Sequence, residues 1–240
     1  MTRHLVFVTG GSSGIGRALL EACPWSDARR IDVSRRGAPG CEHFCADLSD
    51  PSSWPGVADL LQREFSGFEG ERAVLFHGAG TLTPMGFAGE ADSEAYTRSV
   101  LLNSAAPQVL GDAFLRASAQ TGARCDLVMI GSGAANNPYA GWSAYCAGKA
   151  AADHWVRTAG MEQELRGGRV RLLSVAPGVV ATPMQEEIRA TAERDFPDVG
   201  RFVALHEEGV LRAPEAVARE LWALVEKDLA NGAVMDLRRD

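Results

Sequence analysis

Seven short apolar runs, spaced by segments of helical period, leave this chain few folds to choose from. The runs are Leu5–Thr9, Arg29–Val33, His43–Ala46, Ala73–His77, Asp126–Gly131, Val170–Ala176 and Ala233–Leu237. Between them, Ile15–Ala22, Ser53–Phe65, Ser93–Ala119, Ala144–Leu165, Gln185–Arg194 and Pro214–Asp228 carry the spacing of amphipathic helices. Strand-helix alternation of this kind argues an α/β chain with a parallel sheet covered by helices on both faces. At 240 residues and 46% hydrophobic content the chain suits one large domain, and no repeat, linker or low-complexity stretch divides 1–240. Pro214 sits as a first helical residue, and Pro107 falls inside the long central helix pattern, where a kink is expected. Residues 185–209 break the rhythm with mixed charge. They read as a cover over a site or as an irregular surface loop.

Charge and cysteine usage narrow the function classes. The net charge of −7 gives no electrostatic case for nucleic acid or an anionic membrane as the main partner. The first apolar run is too short for a signal peptide, and nothing approaches the length of a membrane span. The five cysteines are odd in number and scattered; Cys41 and Cys45 lie close together, but no second ligand pair follows at zinc-like spacing. Reduced thiols, no metal and a cytoplasmic location are expected.

Two stretches carry chemistry. The first is Thr9-Gly10-Gly11-Ser12-Ser13-Gly14-Ile15-Gly16, which follows the first strand and opens a helix. Glycines there permit a tight turn and close backbone approach, and a helix N-terminus offers amide donors to a pyrophosphate. The spacing Gly-x-x-x-Gly-x-Gly differs from both the commonest dinucleotide fingerprint and the P-loop. The second stretch holds Ser132, at the end of the fifth apolar run, and Tyr145 and Lys149, four residues apart. On a helix the phenol and the ammonium share a face. A nearby ammonium favours phenolate, so this reading expects Lys149 to lower the Tyr145 pKa and ready it for proton transfer to a substrate oxygen. Tyr-x-x-x-Lys by itself is also an ordinary surface pair.

Taken in order, Thr-Gly-x-x-x-Gly-x-Gly, Asn103, Ser132, Tyr145 and Lys149 resemble the short-chain dehydrogenase/reductase family across essentially the whole chain. The resemblance implies a Rossmann-type doubly wound sheet of seven parallel strands in three α/β/α layers. It also implies hydride exchange between a nicotinamide and a carbonyl or alcohol. Tyr145 would then be the general acid, Ser132 would hold the substrate carbonyl, Lys149 would bind the nicotinamide ribose, and Asn103 would anchor a water. Gly10, Ser12, Ser13, Gly14, Ile15 and Gly16 would cradle the pyrophosphate. Asp47 and Leu48 match the pair beside the adenine, although Asp47 also suits a turn or a helix cap. Pro177, Gly178, Val180 and Thr182 match the loop that meets the nicotinamide amide. One segment departs from the pattern: His77-Gly78-Ala79-Gly80 stands where the family usually has Asn-Asn-Ala-Gly. The small pair Ala79 and Gly80 is kept, and His77 is expected to be a strand-end residue with a satisfied ring.

The second strand ends in Asp32-Val33-Ser34-Arg35-Arg36. By alignment with the family Ser34 takes the place of the ribose-binding acid, and Arg35 and Arg36 suit a 2′-phosphate, so NADP(H) is expected. The competing reading makes Asp32 the ribose ligand. A finer resemblance, carried by Tyr145 to Ala150, Pro177 to Gln185 and Gly232 to Asp236, points to the sepiapterin reductase and benzil reductase branch. Asp236 falls where that branch pairs a carboxylate with a pterin; it also suits a plain strand end. Trp142, Met184, Phe196 and Phe202 are candidates for an apolar substrate pocket or for packing. A small carbonyl substrate and a homodimer or tetramer built on the two long helices complete the expectation.

Overall fold

The computed structural model describes residues 3–238. Seven strands form one parallel sheet: β1 (His4–Thr9), β2 (Ala28–Ser34), β3 (Glu42–Cys45), β4 (Arg72–His77), β5 (Arg124–Ile130), β6 (Val170–Ala176) and β7 (Ala233–Asp236), in the spatial order β3-β2-β1-β4-β5-β6-β7. The order reverses between β1 and β4, where Thr9 is in register with His77 and with Val33. A reversal of this kind leaves a crevice beyond the strands' C-terminal ends.

Alternate side chains of each strand feed two cores. Leu5, Phe7, Leu75 and Leu127 pack with α2 (Trp54–Phe65), α4 (Ala106–Ser118) and α5 (Ser143–Arg166). Val6, Val8, Phe76 and Val128 face the other way, toward α1 (Gly14–Glu21) and α8 (Pro214–Glu226). Strands buried on both faces have no polar side to alternate with, which is why they read as continuous apolar runs.

Two segments differ in three dimensions from the expected pattern. The 93–119 pattern is α3 (Ser93–Val100), a π turn over Leu101–Ala105 and then α4. Pro107 lacks an amide hydrogen, so the ladder widens by one residue just ahead of it. The 185–209 segment is neither a loop nor one helix. It forms α6 (Pro183–Arg189) and α7 (Val199–Glu207), with Phe196 between them fully buried. Phe196 stacks on Trp142 with ring centroids 4.3 Å apart and planes 8° from parallel, and Phe202 joins them within 5.6 Å. These rings form a small core with Leu82, Tyr145 and Ile188 that pins the segment over the crevice. Phe196→Ala is expected to cost about 3–5 kcal/mol in chemical denaturation, the range for emptying a buried aromatic site.

Candidate active site

One cavity of about 960 Å³ runs along the C-terminal ends of the strands. Its floor is the turn after β1. Gly10 has φ +73, and a Cβ there would lie 2.9 Å from the Ala79 Cα; a Cβ on Gly16 would lie 2.4 Å from the Gly10 carbonyl oxygen. The backbone of β1, the start of α1 and the strip after β4 approach one another more closely than side chains allow. The Thr9 hydroxyl accepts from the Ala79 N–H at 3.2 Å and holds that strip in place. Opposite, a Cβ on Gly14 would meet the Thr182 methyl at 3.1 Å. A narrow channel floored by an α-helix N-terminus suits a pyrophosphate.

At the end of β2 the two readings of the ribose site separate. Asp32 is fully buried; one carboxylate oxygen accepts from the Gly11 N–H at 2.9 Å and the other from the Ser34 hydroxyl at 2.7 Å. Both of its oxygens are committed to shaping the glycine turn. Ser34, Arg35 and Arg36 line the cavity, both arginines are exposed, and neither forms an ion pair among the described residues. Asp47 and Leu48 line the same end. Asp47 accepts from Ser49 and pairs with Arg98 at 3.0 Å.

The catalytic candidates meet at the other end. The Ser132 hydroxyl accepts from the Ala134 N–H at 3.1 Å and stands near enough to the Tyr145 phenol to favour its ionised form. Tyr145, Lys149 and Asp153 follow at i, i+4 and i+8 on one face of α5. Asp153 accepts from the Ser174 hydroxyl at 2.6 Å. The expected effect of Lys149 on Tyr145 is not what the geometry shows. Burial pushes the Tyr145 phenol up, and the Ser132 hydroxyl pulls it down. Lys149 Nζ lies 5.7 Å from the phenol ring centroid and donates to the Ile130 carbonyl at 2.9 Å. Burial lowers the ammonium itself to about 8, with the Asp153 carboxylate acting against that fall. The Ile130 carbonyl takes one of the three ammonium hydrogens, and burial, not Lys149, dominates the Tyr145 phenol.

Asn103 lies in the π turn, buried behind the cavity wall. Its amide oxygen accepts from the Thr81 N–H at 3.1 Å, and its nitrogen donates to the Thr81 carbonyl at 2.8 Å and to Ser99 at 3.1 Å. Here its amide clamps the Ala79–Thr81 strip instead of facing the cavity. His77 also differs from expectation. Both ring nitrogens are buried with no hydrogen-bond partner among the described residues, and burial drives its pKa down to about 3. Its neutral imidazole is enclosed between β1 and β5.

The remaining candidates divide. Ala79, Gly80, Pro177, Gly178, Val180, Thr182, Trp142 and Met184 all line the cavity, as does Phe202. Phe196 stands behind Trp142 and does not line it. Asp236 does not line it either: its carboxylate is held by the Arg238 guanidinium, with Nε–Oδ1 at 2.9 Å and Nη2–Oδ2 at 2.5 Å. Arg238 is the residue that faces the cavity. Neither it nor the roles of Thr9 and Thr81 could be read from spacing. Among the described residues the cysteines are free, no cluster of metal-ligating side chains occurs, and no helix is long and apolar enough to cross a membrane.

Known proteins resemble this chain over its full extent. It is 34% identical over 245 residues to benzil reductase ((S)-benzoin forming) of Bacillus subtilis (strain 168), with 98% of each chain covered. It is 32% identical over 252 residues to sepiapterin reductase of Rattus norvegicus, covering 95% of this chain and 94% of the relative. The crystal structure of the KRED1-Pglu enzyme superposes with a TM-score of 0.80 at 27% identity, over 96% of this chain and 99% of that one. The model of the short chain dehydrogenase family matches residues 4–193. With the seven-stranded sheet, the glycine turn and the Ser132–Tyr145–Lys149 cluster in one crevice, this chain belongs to the short chain dehydrogenase family and is an oxidoreductase acting on CH–OH and C=O groups.

Proposed function

We propose that the protein is an NADPH-dependent carbonyl reductase whose substrates are aromatic or vicinal diketones. The observation that carries the reading is one cavity lined at one end by Ser132, Tyr145 and Lys149 and at the other by Arg35 and Arg36, exposed guanidiniums without an ion pair among the described residues. The chain's own groups fit a dinucleotide: the glycine cradle excludes side chains where a pyrophosphate would lie, and Arg35 and Arg36 supply cations where a 2′-phosphate would sit. A bound nicotinamide supplies the hydride. Ser132 donates to the substrate carbonyl and polarises it. Tyr145, held protonated by burial, delivers the proton to the resulting alkoxide. Lys149 stays within reach of the Tyr145 side as the ribose anchor, and Asn103 keeps the Ala79–Thr81 strip flat. Trp142, Tyr139 and Phe202 wall the substrate end with rings, which suits an aromatic ketone.

A pterin side-chain ketone is the second reading, supported by the sepiapterin reductase relatives. The diketone is favoured because the Asp236 carboxylate, the group offered to a pterin's guanidine-like edge, is paired with Arg238. The deciding experiment follows nicotinamide absorbance with purified protein, NADPH or NADH, and benzil, 1-phenyl-1,2-propanedione, sepiapterin or a β-ketoacyl thioester. Fast diketone turnover with NADPH is expected. Thioester turnover alone would replace the substrate reading, and NADPH binding without turnover on any carbonyl would favour a nucleotide-sensing role.

The same site predicts a pH profile. Burial disfavours the Lys149 ammonium, so its proton leaves near pH 8, below the ordinary lysine value. Reductive kcat/KM is expected to be level through neutral pH and to fall as pH rises past about 8. Lys149→Met should abolish that limb. Self-association is proposed with this function, because Val100, Val109, Met161 and Leu165 are exposed on α3, α4 and α5. Gel filtration tests it, and a cytoplasmic location accompanies the reading.

A further inference from the structure

We propose that Arg238 orients the substrate by donating hydrogen bonds to a second oxygen beside the reacting carbonyl, so that neutral vicinal dicarbonyls are preferred over simple ketones. This rests on the carbonyl-reductase reading above.

Arg238 follows the last strand, and its side chain turns back into the cavity that holds Ser132 and Tyr145. Two glycines make room for it. A Cβ on Gly178, in the loop after β6, would lie 3.2 Å from the Arg238 Cγ and Cδ. A Cβ on Gly133, next to Ser132, would lie 3.3 Å from its Nη2. The guanidinium thus rests between the loop that carries the carbonyl-binding hydroxyl and the loop matched to the nicotinamide amide.

Its aim is set by Asp236. The Arg238 N–H donates to Oδ1 at 3.0 Å, Nε donates to the same oxygen at 2.9 Å, and Nη2 donates to Oδ2 at 2.5 Å. A guanidinium has five N–H donors in a rigid fork, and this pairing uses two of them. The others remain for a ligand in the cavity. The side chain is 43% exposed, so the ion pair adds little to stability, and its consequence is orientation.

Charge balance points to a neutral acceptor. The Asp236 carboxylate offsets the guanidinium, so a substrate anion gains little net attraction while a neutral oxygen gains a donor. Two further cations stand on this side: Lys149, whose ammonium donates to the Ile130 carbonyl, and Arg201, which is exposed and donates to the Tyr139 hydroxyl at 3.4 Å; the acids Glu187 and Asp198 line the same end and offset them. The rings of Trp142, Tyr139 and Phe202 line the same cavity as the fork. An aryl ketone seated on those rings, with its carbonyl at Ser132 and Tyr145, would present a neighbouring oxygen toward Arg238.

The test compares 1-phenyl-1,2-propanedione with propiophenone and phenylacetone, which each lack one of its two oxygens, and with benzoylformate, which carries an anion. Wild-type protein, R238A, R238K and D236N are assayed with NADPH. R238A is expected to lower the dione-to-monoketone ratio of kcat/KM about tenfold or more, the size of losing a hydrogen bond from a charged donor. D236N should move the ratio the same way by less, since it loosens the aim and leaves the donor. R238K, which keeps the stem and the charge without the fork, should fall between and serves if R238A folds poorly. An unchanged ratio in both Arg238 variants overturns the proposal and leaves the reductase reading standing, as does a wild-type preference for benzoylformate over the dione. Wild-type protein that reduces none of these carbonyls with either nucleotide overturns both.

Discussion

Tyr145→Phe is expected to lower kcat/KM for ketone reduction by about 100- to 10,000-fold, the usual worth of a positioned proton donor. The ring makes an edge contact with Trp142 at 5.7 Å and belongs to a buried aromatic cluster, so phenylalanine keeps the packing. What leaves is the hydroxyl that meets Ser132. Because burial holds the phenol protonated, the wild-type donor is ready at neutral pH, and the loss should appear in kcat. NADPH affinity, measured by fluorescence titration, should change little, since the glycine cradle and the arginines lie elsewhere. Near-normal turnover in this variant would defeat the assignment of Tyr145. A collapse of cofactor binding would show that the phenol serves the nucleotide and not the proton.

The second large effect is expected from Arg35→Ala. NADPH dissociation should rise about 10- to 100-fold while NADH dissociation stays close to wild type, because only NADPH carries a phosphate for the guanidinium to meet. The prediction is sharpened by Asp32, whose oxygens serve Gly11 and Ser34. An acid left free at that place would bind a ribose hydroxyl and repel a 2′-phosphate; this one is occupied by the turn. Equal losses for both nucleotides would sink the NADPH assignment. The selectivity should weaken in concentrated salt, as an exposed guanidinium–phosphate pair is screened.

The long-range arrangement was legible because each strand declares itself alone. Leu5–Thr9, Ala73–His77 and Val170–Ala176 are buried on both faces, so their apolar runs are unbroken and their limits fall within a residue of the observed strands. Ser132, Tyr145, Lys149 and the glycines were equally visible, since short local spacings encode them. The 185–209 segment was not. Its two short helices depend on Phe196 stacking against Trp142, a partner more than fifty positions away in the chain, and mixed charge masked the pattern. His77 was misjudged for a related reason: whether a ring nitrogen finds a partner depends on which strands flank it.

The electrostatics of the site were the least legible part. Tyr-x-x-x-Lys places two groups on one helix face, and from spacing alone the ammonium ought to acidify the phenol. Burial reverses that order, raising Tyr145 and lowering Lys149, because the cost of desolvating a charge depends on the surrounding volume and not on the neighbour four residues away. Asp236 shows the same limit. Its position matched a substrate ligand, yet the chain folds back two residues later and covers it with Arg238.

The order of motifs along the chain by itself determined the family, the sheet and many of the residues that line the cavity, because periodicity and short spacings are properties of neighbouring residues. Tertiary structure alone decided which of those residues are free to act. Asp32 is spent on the glycine turn, Asn103 on the strip after β4 and Asp236 on Arg238, while Arg35, Arg36 and Arg238 line the cavity. The physical reason is that hydrogen-bond commitment and desolvation are set by groups brought together from distant parts of the chain, and no local pattern records them.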